Sequence, residues 1–200
     1  MAKLSLTFRF LRAIGLNYSE EEYGQVGILT VMSKFFSNPY HALLQSMMDW
    51  VVFAPIAPRM LRPWLLRRMG AKVGKGVFIG DHCRFDLNHS DLITLEDHVH
   101  ITSGTRILCH KRDMANYCIG DDSSKLPYKL APVVFKRGSM IGMESMVMPG
   151  VTIGEGTIIG AAALVVKDLP DWVMAVGAPA KVIKSIPKRD KSPIGIDTLD

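Results

Sequence analysis

The sequence predicts an all-β solenoid of short parallel strands, preceded by a helical appendage and interrupted by one long looped-out segment. Three observations carry that prediction. From Phe135 onward a large apolar residue recurs at every sixth position: Phe135, Ile141, Val147, Ile153, Ile159 and Val165. A second set recurs at the fifth place of each six: Ser139, Ser145, Val151, Thr157, Ala163 and Leu169. Gly142, Gly154 and Gly160 fall just after the large residue, where a corner needs unusual backbone angles or the next coil passes close by, both of which glycine permits. A helix cannot hold the six-residue beat on one face, because six residues at 3.6 per turn make a non-integral number of turns, and a flat strand would alternate strictly. Short strands that bend every six residues and stack on copies of themselves satisfy it, and their core is continuous only when several coils are present.

The beat begins well before Phe135. Val73, Ile79 and Phe85 open three sixes and Leu95, Ile101 and Ile107 three more, with Val77, Cys83, Val99 and Thr105 in the fifth places. Two breaks interrupt it. A slip of a few residues between Ser90 and Thr94 is short enough to be absorbed at a corner. The run 111–131, "KRDMANYCIGDDSSKLPYKLA", has too many polar and turn residues for a coil and is expected to loop out; long loops on a rigid scaffold are usually functional or disordered. The solenoid is accordingly assigned to 70–186.

The first 69 residues lack the six-residue beat. "SNPYHALLQSMMDWVVFA" has the capping serine and spacing of a short amphipathic helix, and Pro55, Pro58 and Pro63 break the segment after it. The expected role of 1–69 is a cap over the open edge of the first coil. The other reading is a surface within 50–68 that docks on a membrane or a lipid-linked substrate, since Trp50, Val51, Val52, Phe53 and Trp64 lie near Arg59, Arg62, Arg67 and Arg68. Residues 187–200 show no periodicity and are expected to form a loosely ordered tail. The net charge of +5 suits an anionic surface and a phosphate-bearing cofactor equally. Three cysteines, Cys83, Cys109 and Cys118, offer neither a disulfide framework nor a paired metal motif. No secretory h-region opens the chain, and "MMDWVVFAPIAP" is too short and proline-rich to span a bilayer. A cytoplasmic protein, peripheral to the membrane at most, is the expectation. There is no P-loop, dinucleotide fingerprint or zinc spacing, and no nucleic-acid partner is expected.

The segment "PVVFKRGSMIGMESMVMPGVTIGEGTIIGAAALVVKDLPDWVMAVGAPAKVIKSI" closely resembles the ending of the hexapeptide-repeat acyltransferases, and within them the O-acetyltransferases of the galactoside, maltose and xenobiotic type. The proline-glycine before "VTIG", the "VVKDLP" and the "GAPAKVI" carry the likeness, which extends over 70–186. The resemblance implies a left-handed β-helix, against the usual right-handed rule for crossovers. It also implies acetyl-CoA as acyl donor, a hydroxyl of a sugar or sugar-containing surface-polysaccharide precursor as acceptor, and a homotrimer with active sites between subunits. Met140 stands where galactoside-type enzymes often carry tryptophan.

Transfer of an acyl group from a thioester to a hydroxyl needs a base for the hydroxyl proton, and a near-neutral histidine is the usual one. His110 stands at the last position before the looped-out segment, and "ILCHKRD" resembles the family's catalytic site there, so His110 is the expected base. Stacking Phe85 on Ile107 sets Asn88 beside His110. Asn88 and Asp86 of "FDLNHS" are therefore acceptor-side candidates, with corner capping by their side chains as the alternative. Asp113 joins them, while either Asp113 or Asp91 is available to orient the imidazole. His89 is a rival base of the serine-acetyltransferase kind. The coenzyme A residues implied by position are Met143, Ala161, Val166, Lys167, Lys181 and Lys184, the lysines being suited to phosphate. A metal-dependent, carbonic-anhydrase-like member of the same fold would use His82, His98 and His100. These do not stack in one column, so no metal is expected. A silent structural solenoid would not need the 111–131 loop.

Overall fold

The structure is a computed structural model that describes residues 5–13, 27–53 and 56–188. Two helices, α1 (Leu6–Ala13) and α2 (Ile28–Met47), and a third, α3 (Arg62–Arg68), precede a stack of coils. Each coil has three short strands. The first contains β1 (Lys72–Val73), β2 (Phe78–Ile79) and β3 (Arg84–Phe85), and the second β4 (Ile93–Leu95), β5 (His100–Ile101) and β6 (Arg106–Ile107). An antiparallel ribbon of β7 (His110–Arg112) and β8 (Tyr128–Leu130) comes next. The third coil has β9 (Val133–Phe135), β10 (Met140–Ile141) and β11 (Met146–Val147); the fourth has β12 (Thr152–Ile153), β13 (Ile158–Ile159) and β14 (Leu164–Val165). β15 (Val173–Val176) adds to the stack, and β16 (Lys181–Ser185) folds back against it antiparallel.

Three parallel sheets result, ordered β1-β4-β9-β12, β2-β5-β10-β13-β15 with β16 at its edge, and β3-β6-β11-β14. They are the first, second and third faces of a prism. The first-position residues of the sixes point inward: Ile79, Ile101, Ile107, Phe135, Ile141, Val147 and Ile153 are fully buried. The polar fifth-position residues are buried as well, and their hydroxyls bond to corner carbonyls, as in Ser139 Oγ to Lys136 O (2.7 Å) and Thr157 Oγ1 to Pro170 O (2.6 Å), which meets the requirement that buried polar groups be partnered.

The glycine expectation divides into two. Gly142 and Gly154 serve close approach: a Cβ on Gly142 would come within 2.4 Å of Ala161 N, in the next coil. The left-handed backbone sits elsewhere, at the fourth place of most sixes, where glycine (Gly104, Gly138, Gly156) shares the duty with His82, His98, Glu144 and Ala162. The third and fourth coils are offset by 18 positions (Met146↔Leu164), but the first and second by 22 (Phe85↔Ile107). The surplus is the Ser90–Leu92 turn, at the corner where the slip was expected.

The appendage differs from its expected outline. Helix α2 begins at Ile28, well before the serine expected to cap it, and carries Pro39 inside. From α2 and α3, Leu44, Met48, Leu65, Leu66 and Met69 join the same buried cluster as Val77, Ile79 and Phe85 of the first coil. Polar side chains of the appendage then satisfy the coil's exposed edge on all three faces. Arg67 donates to Val73 O and Gly74 O, Arg62 Nη1 to Ile79 O (3.1 Å), and Gln45 Nε2 to Cys83 O (2.8 Å) while its Oε1 accepts from Phe85 N (3.2 Å). Asp49 accepts from His82 N and pairs with Arg84. An unpaired strand edge is a template for association; here hydrogen bonds from helices replace the missing coil. The arginines nominated for membrane contact are drawn into this work or laid over rings, Arg59 over Phe78 and Arg68 over Trp64. Among the described residues no helix is long and apolar enough to cross a membrane. Pro55 and most of the 187–200 tail lie outside the described residues.

Candidate active site

The corner leaving the third face gathers the charged residues. Asp86 comes directly after inward-facing Phe85, so its side chain leaves the sheet at the turn and reaches the next coil. Its Oδ2 accepts from Cys109 N (3.0 Å) and its Oδ1 from Asn88 N (3.3 Å), while Ser90 Oγ donates to the Asp86 carbonyl (2.5 Å). Oδ2 also meets His110 Nδ1 at 2.5 Å. A carboxylate only accepts, so Nδ1 carries the hydrogen and, in the neutral ring, Nε2 keeps its lone pair. The Asp86 side chain is 2% exposed, whereas that of His110 is 36% exposed and open to a ligand.

These distances revise two expectations. Asp86 was assigned to the acceptor; both its oxygens are committed within the protein, and it is the carboxylate that holds the imidazole. Asp113, expected at the acceptor or in that orienting place, does not hold the imidazole: its backbone N–H donates to Pro127 O and its carboxylate accepts from Ala115 N (3.1 Å). Asp91 is exposed and packs beside Gly70. Asn88 is exposed at the corner. His89 is half-buried there, its ring 5.7 Å from that of His110 and inclined by 62°.

The interrupting segment is only partly a loop. Its ends pair as the β7–β8 ribbon, with His110 opposite Leu130, Lys111 opposite Lys129 and Arg112 opposite Tyr128. The Tyr128 ring stands edge-on to His110 at 5.4 Å, and the Arg112 guanidinium lies 4.0 Å over the Tyr128 ring. Arg112 Nη1 donates to Leu126 O. Arg112 was not among the expected site residues: its neighbours alternate across a ribbon that no repeat announces.

The expected coenzyme A residues fall at separate places. Val166 and Lys167 come after β14 on the corner that bears His110, two coils further along. Met143 and Ala161 lie on the opposite edge of the third face, on the turns after β10 and β13, and Lys181 and Lys184 are on β16. Their side chains are exposed. No single cleft of one chain brings the six together.

The three early histidines also separate. His82 and His98 occupy left-handed positions at different corners, and His100 faces outward on β5 with its ring 4.1 Å from Phe78. Burial, and then the Arg59 charge, hold His100 below its ordinary value. Among the described residues no group of three or more His, Cys, Asp or Glu is arranged to hold a metal ion. Burial, reinforced by Asp86 and Asp91, pushes the Cys109 thiol up to about 12, and burial does the same to Cys83, so neither is a nucleophile at neutral pH.

Residues 132–167 match the family model described as bacterial transferase hexapeptide (six repeats). Over 154 residues the chain is 32% identical to the "Putative colanic acid biosynthesis acetyltransferase WcaF" of Escherichia coli K12, a similarity covering 68% of this chain and 84% of that protein. A "Putative acetyltransferase" of Schizosaccharomyces pombe and the galactoside O-acetyltransferase of Escherichia coli K12 are matched over only 27% and 30% of their own length. In fold the chain is similar to a maltose O-acetyltransferase from Clostridium difficile 630, with a TM-score of 0.61 and 22% identity over 86% of this chain and 92% of that one. It is also similar to a variant of AntD, an N-acyltransferase from Bacillus cereus in complex with dTDP and coenzyme A, with a TM-score of 0.51 and 27% identity over 58% of this chain and 63% of that one.

Proposed function

The chain belongs to the hexapeptide-repeat acetyltransferases, and from that premise we propose that it moves an acetyl group from acetyl-CoA to a hydroxyl of a sugar or of a sugar-containing surface-polysaccharide precursor, with His110 as general base. The observation that carries the reading is the 2.5 Å contact between His110 Nδ1 and the buried Asp86 carboxylate. It keeps the hydrogen on Nδ1, so that in the neutral ring the Nε2 lone pair is free.

In the proposed mechanism, Nε2 takes the acceptor hydroxyl proton as the oxygen attacks the thioester carbonyl. The tetrahedral intermediate collapses by breaking its carbon–sulfur bond, and the imidazolium returns the proton to the leaving thiolate. No covalent enzyme intermediate is needed. Asp86 is a positioning residue: it keeps the hydrogen on Nδ1 and stabilises the imidazolium that forms. Backbone N–H groups at the coil edge are assigned to the oxyanion.

The donor is assigned to Met143, Ala161, Val166, Lys167, Lys181 and Lys184. The resemblance to the family implies a left-handed prism, and the separation of these residues onto opposite edges of the third face supports a homotrimer in which one subunit's His110 corner meets another's Met143 and Ala161 edge; cyclic closure is ordinary among homo-oligomers. Asn88 is kept as an acceptor contact, being exposed at the corner of His110.

Replacing His110 by Ala tests the assignment. Acetyl transfer, measured as thiol release from acetyl-CoA, is expected to fall by roughly 10²- to 10⁴-fold, the usual share of a general base, with acetyl-CoA affinity nearly unchanged. Loss of affinity without loss of turnover removes His110 from the chemistry and promotes His89.

A further inference from the structure

Strict alternation along the β7–β8 ribbon puts His110, Arg112, Tyr128 and Leu130 on one face and Lys111 and Lys129 on the other. Three features of the first face stand out. The Tyr128 ring packs beside that of His110, the centroids 5.4 Å apart and the planes inclined by 78°. The Arg112 guanidinium carbon lies over that ring, 4.0 Å from its centroid, and one N–H donates to Leu126 O. No carboxylate among the described residues pairs with Arg112, whereas three cations elsewhere on the prism do have one, Arg84 with Asp49, Arg137 with Glu155 and Lys136 with Asp171. A half-buried guanidinium that is held in place by stacking and lacks a counter-ion presents a fixed fork of N–H donors, the arrangement that matches a carboxylate or phosphate. On the reverse face Lys111 and Lys129 oppose each other directly; like charges so placed weaken a ribbon and raise the positive potential at its root.

From this geometry we infer that the acceptor is anionic: its hydroxyl lies at His110 Nε2 and its carboxylate or phosphate, about one sugar ring away, is received by Arg112 on the Tyr128 platform. Arg112 is thereby a specificity-determining residue for acceptor, not donor. The inference rests on the acetyltransferase reading above. The shared chemistry is an oxyanion on the sugar, whether the carboxylate of a uronic acid or the phosphate of a sugar phosphate.

The test is direct binding to the full-length protein and to Arg112→Gln and Arg112→Lys, using glucuronate, glucose 1-phosphate and methyl glucoside at millimolar concentration. The imidazole resonance of His110 reports sugar binding by NMR, and acetyl-CoA affinity is measured in parallel by calorimetry. The expected result is that an anionic sugar binds at least about tenfold more tightly than the neutral one, and that Arg112→Gln abolishes the difference while acetyl-CoA binding is unchanged; a charge-assisted bidentate contact is worth that factor or more. Arg112→Lys, which keeps the charge without the planar fork, should recover part of it. Whether glucuronate or glucose 1-phosphate is preferred identifies the source of the oxyanion. The inference is overturned if neither anionic sugar binds, if methyl glucoside binds as well, or if Arg112→Gln weakens acetyl-CoA instead. Failure of wild-type protein to bind acetyl-CoA, by contrast, removes the acetyltransferase reading itself, whatever the sugars do.

Discussion

Replacing Gln45 by Leu isolates the way the first coil is closed. Gln45 is 6% exposed, and its amide both donates to Cys83 O at 2.8 Å and accepts from Phe85 N at 3.2 Å. Cys83 and Phe85 are themselves buried, so leucine, of similar bulk, leaves one backbone acceptor and one backbone donor without partner or water. Each such group costs about 1–3 kcal/mol, and the hydrophobic surface of leucine offsets little because the site is already filled. The expected loss is therefore about 2–5 kcal/mol, a large fraction of a typical domain's stability. Urea unfolding at fixed protein concentration measures it, since mass action shifts the midpoint of any oligomer. Amide hydrogen exchange adds a local readout: Phe85 N–H should lose protection selectively. A loss below about 0.5 kcal/mol, or unchanged exchange at Phe85, would show that the helices cover the edge by apolar contact alone and that its hydrogen bonds are dispensable.

Two further outcomes are expected. In native protein at neutral pH a thiol reagent should modify one cysteine per chain, because Cys118 is exposed while burial pushes the Cys83 and Cys109 thiols up to about 12; mass spectrometry counts the adducts, and early labelling of Cys109 would mean that the His110 corner opens. For Asp49, burial pushes the carboxyl up, but hydrogen bonds from Arg84 and His82 N–H and the Arg84 charge outweigh it, so it lies below its ordinary 3.8. A carboxyl depressed in the folded state contributes stability that is present above its unfolded value and lost as pH falls through the folded one. The Tm deficit of Asp49→Asn should thus be full at neutral pH and shrink as pH drops below about 4; a deficit that stays constant into acid would mean that Asp49 acts through packing.

The solenoid could be read from the sequence because its two inward positions repeat with a fixed period, and each repeat is dictated by the same corner. The six-residue beat held at every coil, and the slip at Ser90 to Thr94 became a single turn. What could not be read are contacts between segments with no shared period. Gln45 and Arg62 meet the first coil from 38 and 17 positions away, through helices whose spacing carries no mark of it. The start of α2 at Ile28 escaped because Ser37 and Pro39 resemble a helix beginning, while the packing of Leu44 and Met48 against the first coil sustains the helix across the proline. His110 was legible as a position, the last before the interruption. Its partner was not, since the choice among Asp86, Asp91 and Asp113 depends on how one turn directs a side chain.

That turn explains why holding the His110 imidazole, the proposed base, need not be a separate device. Asp86 is the only carboxylate buried among the described residues, and burial of a charge is tolerated only where donors surround it. Two of its donors are backbone N–H groups, Asn88 of its own turn and Cys109 of the following coil, so the side chain ties successive coils together where the surplus residues of the first corner would otherwise leave them loosely joined. The His110 N–H is a third donor, set one residue after Cys109. The position of the imidazole is consequently fixed by the same carboxylate that fixes the coil spacing, and the geometry of the base inherits the rigidity of the prism. The ribbon that begins at His110 has no such tie to the scaffold beyond its root, which leaves Arg112 and Tyr128 on the element whose sequence is least bound by the repeat. On the proposed function, the base is anchored to the periodic part of the chain and acceptor choice to the aperiodic part, so a substitution at Arg112, which contacts Tyr128 and Leu126, is expected to change what is acetylated while leaving the Asp86–His110 contact in place.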